Sequence, residues 1–141
     1  MAWRLPAPSP MIKVKIMKSL LLLTFLSLPV FATDVSAGKA IYDKTCTSCH
    51  MANGEGLAGA FPPLNKSDYF KKSNPAQIIK ILDQGLSGEV TVNGQKFVSA
   101  MPPQNLNDQE ITDVLNYVSV AMNSGKPIFK VDQVKKLRVP K

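Results

Sequence analysis

Residues 46–50 read Cys-Thr-Ser-Cys-His, and they hold both cysteines and the single histidine of this 141-residue chain. Two cysteines three positions apart, followed at once by histidine, form the attachment pattern for c-type haem. The spacing has a chemical reason. One turn of helix sets the two sulfurs where they add to the two haem vinyl groups as thioethers, and the next residue aims its imidazole at the iron. Rival chemistries fit less well. A redox disulfide uses Cys-x-x-Cys with one thiol's pKa lowered, but such motifs belong to a βαβ pattern, and no such alternation is present. A structural zinc site takes four Cys or His ligands, and the chain has three candidates. The pattern occurs once, so one covalently attached haem per chain is the expected cofactor.

Iron held by a lone imidazole needs a sixth ligand or keeps an open position. A second histidine is ruled out by composition. Downstream of a leader described below, three methionines remain. Met51 follows His50 directly and cannot reach the opposite face of the ring. Met122 falls on an apolar helical stripe, where core packing is the simpler reading. Met101 sits in Val98-Ser99-Ala100-Met101-Pro102-Pro103, and prolines on its C-terminal side restrict the backbone of a loop that must hold a thioether. His50 and Met101 are therefore the expected metal ligands. With both axial positions filled, only charge passes, which suits a carrier and not an enzyme.

The first 32 residues read as a leader. Lys13, Lys15 and Lys18 form a positive start, the run over 19–28 is almost wholly apolar, and Val30-Phe31-Ala32 supplies small residues before a cut. Cleavage is expected after Ala32 and export to the periplasm. The apolar run is short for a membrane span. Residues 1–10 lack signal character, so translation from Met11 or Met17 is an alternative to Met1. The remaining 109 residues make one small domain. A haem in its centre acts as much of the core. The mature chain carries +3 rather than +7, because four of the seventeen basic residues lie in the leader. That excess is uneven: residues 126–141 carry +5 and the body −2. The high pI is no argument for nucleic-acid binding.

The pattern predicts a helix over 36–45 with Ser36 as N-cap, then a Gly/Pro loop over 51–64. A helix over 75–84 follows, capped by Asn74, opened by Pro75 and ended by Gly85, with Ile78, Ile79, Ile81 and Leu82 as its buried face. Asn93-Gly94 between β-formers predicts a small hairpin within 89–97. A last long helix over 108–123 is capped by Asn107 with Glu110 completing a capping box; Ile111, Val114, Leu115, Val118, Ala121 and Met122 make its stripe. Asp132 is a candidate cap for a short helix in the tail. Phe97 is expected to pack near the ring, and Tyr69, Lys71 and Gln95 to cover the propionates.

Gly38 with Tyr42, the 46–50 motif, Pro62-Pro63-Leu64, Met101-Pro102, and a last helix with Val114, Leu115 and Tyr117 resemble, in that order, the class I (monohaem) cytochrome c family over residues 36–124. The resemblance implies an all-α cytochrome c fold. Three main helices surround one haem c, and a small β-hairpin precedes the methionine loop. It also implies that the first and last helices cross at Gly38, that Pro62 offers its carbonyl to the second nitrogen of His50, and that Leu64 packs on the haem. The cofactor-binding set is then Cys46, Cys49, His50, Pro62, Leu64, Phe97 and Met101. A closer likeness, carried by residues 63–69, 85–88, 92–94 and 101–103, is to cytochrome c domains fused to copper nitrite reductases and to cytochrome subunits of periplasmic dehydrogenases. Nothing here could be a copper domain.

The expected arrangement is a leader (1–32), a cytochrome c domain (33–125) and a basic extension (126–141). The expected role is one-electron transfer by a monomer between redox proteins such as a nitrite reductase, a dehydrogenase or a terminal oxidase, with electrons leaving near Cys49. A dedicated subunit of a dehydrogenase or reductase is the alternative, and a haem sensor or peroxidase-like enzyme a more distant one. The basic tail is either solvated with some packing on the body, or docks an acidic partner or an anionic membrane surface.

Overall fold

Two helices far apart in sequence cross at a glycine. In the computed structural model, which describes residues 35–138, α1 (Ser36–Thr45) lies against α5 (Asp108–Tyr117). An added Cβ at Gly38 would collide with the Asp113 carbonyl and come within 2.7 Å of Tyr117 Cβ. Glycine costs helix stability, and the close backbone approach is what it permits. Tyr42, fully buried one turn on, sets its ring 5.5 Å from Tyr117 at a tilt of 54°, a favoured aromatic geometry.

Between these helices lie α2 (Thr47–His50), α3 (Asp68–Lys72), α4 (Pro75–Gln84) and the strands β1 (Leu86–Val92) and β2 (Gln95–Met101); α6 (Val131–Leu137) closes the order. Local chemistry sets most boundaries. Asn74 Oδ1 accepts from the Ala76 N–H at 2.9 Å, Pro75 takes the first turn, and Gly85 ends α4. At α5, Asn107 Oδ1 accepts from the Glu110 N–H (3.0 Å) and Glu110 Oε2 from the Asn107 N–H (2.8 Å), a reciprocal box.

Several expectations change. Ser36 is the first residue of α1 and Val35 occupies the N-cap position. Helix α3 was not expected, although Ser67 Oγ accepts from the Phe70 N–H (3.1 Å), Asp68 sits in the first turn and Lys71 and Lys72 in the last. Lys130, not Asp132, stands at the N-cap of α6. The hairpin is longer than 89–97: Asn93 and Gly94 turn it at positive φ, and pairing runs from Val92↔Gln95 to Leu86↔Met101. Met101 thus ends a strand instead of lying in a loop.

The long last helix changes pitch. After Tyr117 a π-helical turn spans Val118–Met122, and a wider turn shifts the phase of everything beyond it. Ala121, placed on the apolar stripe by a 3.6-residue period, is exposed, whereas Ser119 and Met122 are buried. The turn is stitched to the loop after Leu64. The Lys66 N–H donates to the Met122 carbonyl (2.9 Å), Asn123 Nδ2 to the carbonyls of Leu64 (2.9 Å) and Val118 (3.0 Å), and the Ser67 N–H to Asn123 Oδ1 (3.0 Å).

The basic segment packs on the body. Phe129 and Val134 are 4% and 0% exposed and belong to the same core cluster as Tyr42, Ile79 and Ile111. Asn116 pins the segment, accepting from the N–H groups of Ile128 and Phe129 and donating to the Phe129 carbonyl, each at 3.0 Å. The leader, its cut after Ala32 and the alternative starts lie outside the described residues, as do residues 139–141. Among the described residues no helix is long and apolar enough to cross a membrane.

Candidate functional site

Helix α1 stops at Thr45 and α2 restarts the chain for one turn, so Cys46, Cys49 and His50 arrive on a single tight segment. Both cysteines are half-buried thiols and His50 is 8% exposed. His50 Nδ1 donates to the Pro62 carbonyl at 2.9 Å. A carbonyl only accepts, so Nδ1 carries the proton and Nε2 the lone pair. Burial pushes the imidazole below its ordinary pKa while the Pro62 bond opposes, and the neutral ring is the form that ligates metal. The loop beyond is anchored too: Tyr42 Oη–H donates to the Met51 carbonyl (2.8 Å), the Gly56 N–H to the His50 carbonyl (3.0 Å), and the N–H groups of Leu64 and Asn65 to the Gly54 carbonyl (2.8 Å each). Burial first, and neighbouring Cys49 second, push the Cys46 thiol up to about 11.

His50 and Met101 border one cavity. Cys46, Leu64, Ile81, Leu82, Leu86, Val90, Leu106, Val114 and Leu115 are among its walls. A second cleft adjoins it, sharing Cys46, His50 and Met101 and adding Cys49, Phe61 and Ala100. None of the residues lining that second cleft carries a formal charge. An imidazole, a thioether and two thiols around an apolar slot are the donor set and walls that an iron macrocycle with vinyl groups requires. The residues fit the group.

Met101 is placed by contacts distant in sequence. It pairs with Leu86 across the hairpin. Gly85 abuts it so closely that an added Cβ would lie 2.5 Å from the Met101 carbonyl oxygen and 3.0 Å from the Pro103 nitrogen. Gly85 also holds φ at 81°, so its role reaches beyond ending α4. The chain then turns through Pro102 and Pro103, and the Gln104 N–H donates to the Leu82 carbonyl at 2.7 Å.

Cys46, His50, Pro62, Leu64 and Met101 line the cavity, and Cys49 lines its neighbour. Phe97 lines neither: it is 1% exposed, and its cross-strand partner Val90, on the same face of the hairpin, lines the cavity. Among the propionate candidates Tyr69 lines the cavity, Lys71 lines a separate groove, and Gln95 is exposed at the hairpin turn. Met51 lines neither cleft and Met122 is core. Ile81 and Leu82, expected simply as a buried face, are half-buried walls of the cavity, whereas Ile78 and Ile79 are buried. Leu86, Val90, Gln104 and Leu106 were not singled out; alternation in Val90-Thr91-Val92 was the available signal.

Residues 35–121 match the cytochrome c family. The chain is 36% identical to a cytochrome c-552 of Thermus thermophilus over 129 residues, covering 85% of this chain and 86% of that one. It is 28% identical over 111 residues to the fructose dehydrogenase cytochrome subunit of Gluconobacter japonicus, covering 75% of this chain and 23% of that one. Identity is 29% over 106 residues to the cytochrome c subunit of the quinone-type alcohol dehydrogenase of Gluconobacter oxydans (strain 621H), covering 73% and 22%. The chain belongs to the cytochrome c family. It carries one covalently bound haem c at Cys46 and Cys49 and acts as an electron carrier.

Proposed function

We propose that this chain is a periplasmic class I cytochrome c that shuttles single electrons, with His50 and Met101 as its two axial ligands. The observation that carries the reading is that these two side chains, from elements about fifty residues apart, border the same apolar cavity. Haem supplies the one-electron couple of its iron. The residues of this chain do the rest. Pro62 fixes the orientation and tautomer of the His50 ring. Leu64, Ile81, Leu82, Leu106, Val114 and Leu115 exclude water, so a soft thioether in an apolar setting favours the reduced state. The uncharged cleft beside Cys49 is the exit for electrons, and Leu57, 49% exposed, extends that face. Redox encounters use small, weak interfaces. Lys126, Lys130, Lys135 and Lys136 are exposed and offer an acidic partner steering charge.

The test is Met101→Ala. The reduced protein should then bind carbon monoxide at neutral pH, and its potential should fall by a sizeable share of the roughly 0.8 V that axial ligands span. An unchanged spectrum and voltammogram would remove Met101 from the iron. Export is checked by fractionation and by a mature N-terminus at Thr33. A second reading, a dedicated subunit of a dehydrogenase or reductase, is favoured by the dehydrogenase subunits among the relatives. Co-purification with a catalytic partner would select it over a free shuttle, as would a nitrite reductase for the likeness drawn from residues 63–69.

A further inference from the structure

The terminal helix ends in a charge cluster that touches both flanks of the segment carrying the methionine. Arg138 donates to Asp83 Oδ1 from Nε (3.0 Å) and Nη2 (2.8 Å), and to Asp108 Oδ1 from Nη1 (2.7 Å). The guanidinium side chain is 15% exposed, Asp83 4% and Asp108 33%. Asp83 is the penultimate residue of α4 and Asp108 the first of α5. Between them the chain runs through the hairpin, reaches Met101 and returns over residues 102–107. Pro102 and Pro103 offer that return no N–H groups. Its anchors are the Leu82 carbonyl, one residue before Asp83; the close approach of Gly85, two residues after; and the Asn107 cap beside Asp108.

We propose that Arg138 is a positioning residue for the methionine side of the haem site: one guanidinium ties the end of α4 to the start of α5, and so keeps the Met101 arm seated. The inference rests on the reading of Met101 as a ligand. A buried carboxylate that loses its cation must reach water or take up a proton. Asp83 reaches water by loosening the last turn of α4, which draws Leu82 from Gln104 and Gly85 from Met101. A thioether held to a metal only through its own backbone is sensitive to such a shift. His50 is not, because Cys46 and Cys49 tether its segment covalently to the haem. Arginine suits the task, since a planar fork spans two carboxylates where an ammonium meets one well. The tail's other described cations stand apart: Lys126, Lys130, Lys135 and Lys136 are exposed and in none of the ion pairs seen among the described residues.

The experiment compares haem-loaded wild type, Arg138→Met, Arg138→Lys and Lys135→Gln/Lys136→Gln. Far-UV circular dichroism reports folding. Two readouts report the iron: carbon monoxide uptake by the reduced form at neutral pH, and the absorption feature of the oxidised form that Met101→Ala abolishes. Arg138→Met should fold, lose that feature and take up carbon monoxide in most molecules. Arg138→Lys should fall between it and wild type, and the double lysine variant should match wild type. A folded Arg138→Met that keeps the feature and excludes carbon monoxide overturns the proposal and leaves Arg138 a mere strut. Should Arg138→Met fail to fold, Arg138→Lys, which keeps a cation but cannot span both carboxylates, decides: iron readouts identical to wild type overturn the proposal. Met101→Ala separates the failures: if it leaves the wild-type spectrum unchanged, the ligand assignment itself has failed.

Discussion

The two faces of the haem slot are built in opposite ways. The imidazole side is written in one stretch: the two cysteines, His50, Pro62 and Leu64 lie within 19 residues, tied by the His50–Pro62 bond and the loop carbonyls. The methionine side is assembled from afar. Met101 pairs with Leu86 across the hairpin, Gly85 approaches its carbonyl closely, and Gln104 beyond it bonds to Leu82 at the end of α4. A covalent, local half can be made before the rest of the domain folds. The other half exists when tertiary structure does. On the proposed ligation, ligand exchange belongs to the methionine side.

The comparison breaks most completely if the covalent half is removed. Cys46→Ala/Cys49→Ala should abolish haem retention on denaturing gels. It should also cost the chain its cooperative thermal transition, because the apolar walls of the cavity lose the group they enclose. A double variant that still melts cooperatively without haem would mean that the protein core stands without its cofactor. In that case the local half would not be the foundation of the fold.

A pair of glycine substitutions separates the halves more finely. Gly38→Ala drives a Cβ into the Asp113 backbone at the α1–α5 crossing, and overpacking of this type costs about 1–3 kcal/mol, sometimes more. Its effect should be a lower melting temperature with the iron spectrum intact. Gly85→Ala adds strain at φ 81° and presses on the Met101 carbonyl. It should loosen the thioether and admit carbon monoxide, at a comparable cost in stability of about 1–3 kcal/mol. If both variants lowered stability alone, the methionine side would be as firmly built as the imidazole side.

The same division explains what could be read from the chain without coordinates. Features of short range were legible: the 46–50 motif, the caps at Asn74 and Asn107 and the Asn93-Gly94 turn. Each is decided by neighbours within four residues. Phe97 was expected near the ring from its place ahead of Met101, and it lies on the same face of the hairpin as the cavity-lining Val90. Ala121 was misassigned because a π-turn breaks the period on which the stripe was counted. The tail was expected to be a short helix, either solvated with some packing on the body or docked to a partner, and Arg138 was given no role of its own. Its arginine meets partners 55 and 30 residues away in sequence, and no local pattern announces a pairing over that distance. Helix α3 is a different case: Ser67, Asp68 and the two lysines were signals present and passed over.

One tie joins the two halves directly, and pH tests it. Asp68, just after the Leu64 loop, accepts from the Asn93 N–H (2.6 Å) at the hairpin turn, while its own N–H donates to Asn93 Oδ1 (2.9 Å) and Lys72 Nζ lies 3.1 Å away. The Asn93 bond first, and Lys72 second, hold the carboxyl below its ordinary pKa. A group depressed in the folded state contributes stability above its unfolded pKa of about 3.9 and loses it as pH falls through the folded value. The difference in melting temperature between wild type and Asp68→Asn should therefore be small, constant above about pH 5, and should shrink as acid is added. Added salt should shrink it too, since the carboxylate is exposed. The iron spectrum should not follow, because Asn93 sits at the opposite end of the hairpin from the Leu86↔Met101 pair. A spectral change over the same acid range, absent in Asp68→Asn, would show that the hairpin transmits a displacement of its turn to the thioether, and the methionine side would then answer to the imidazole side after all.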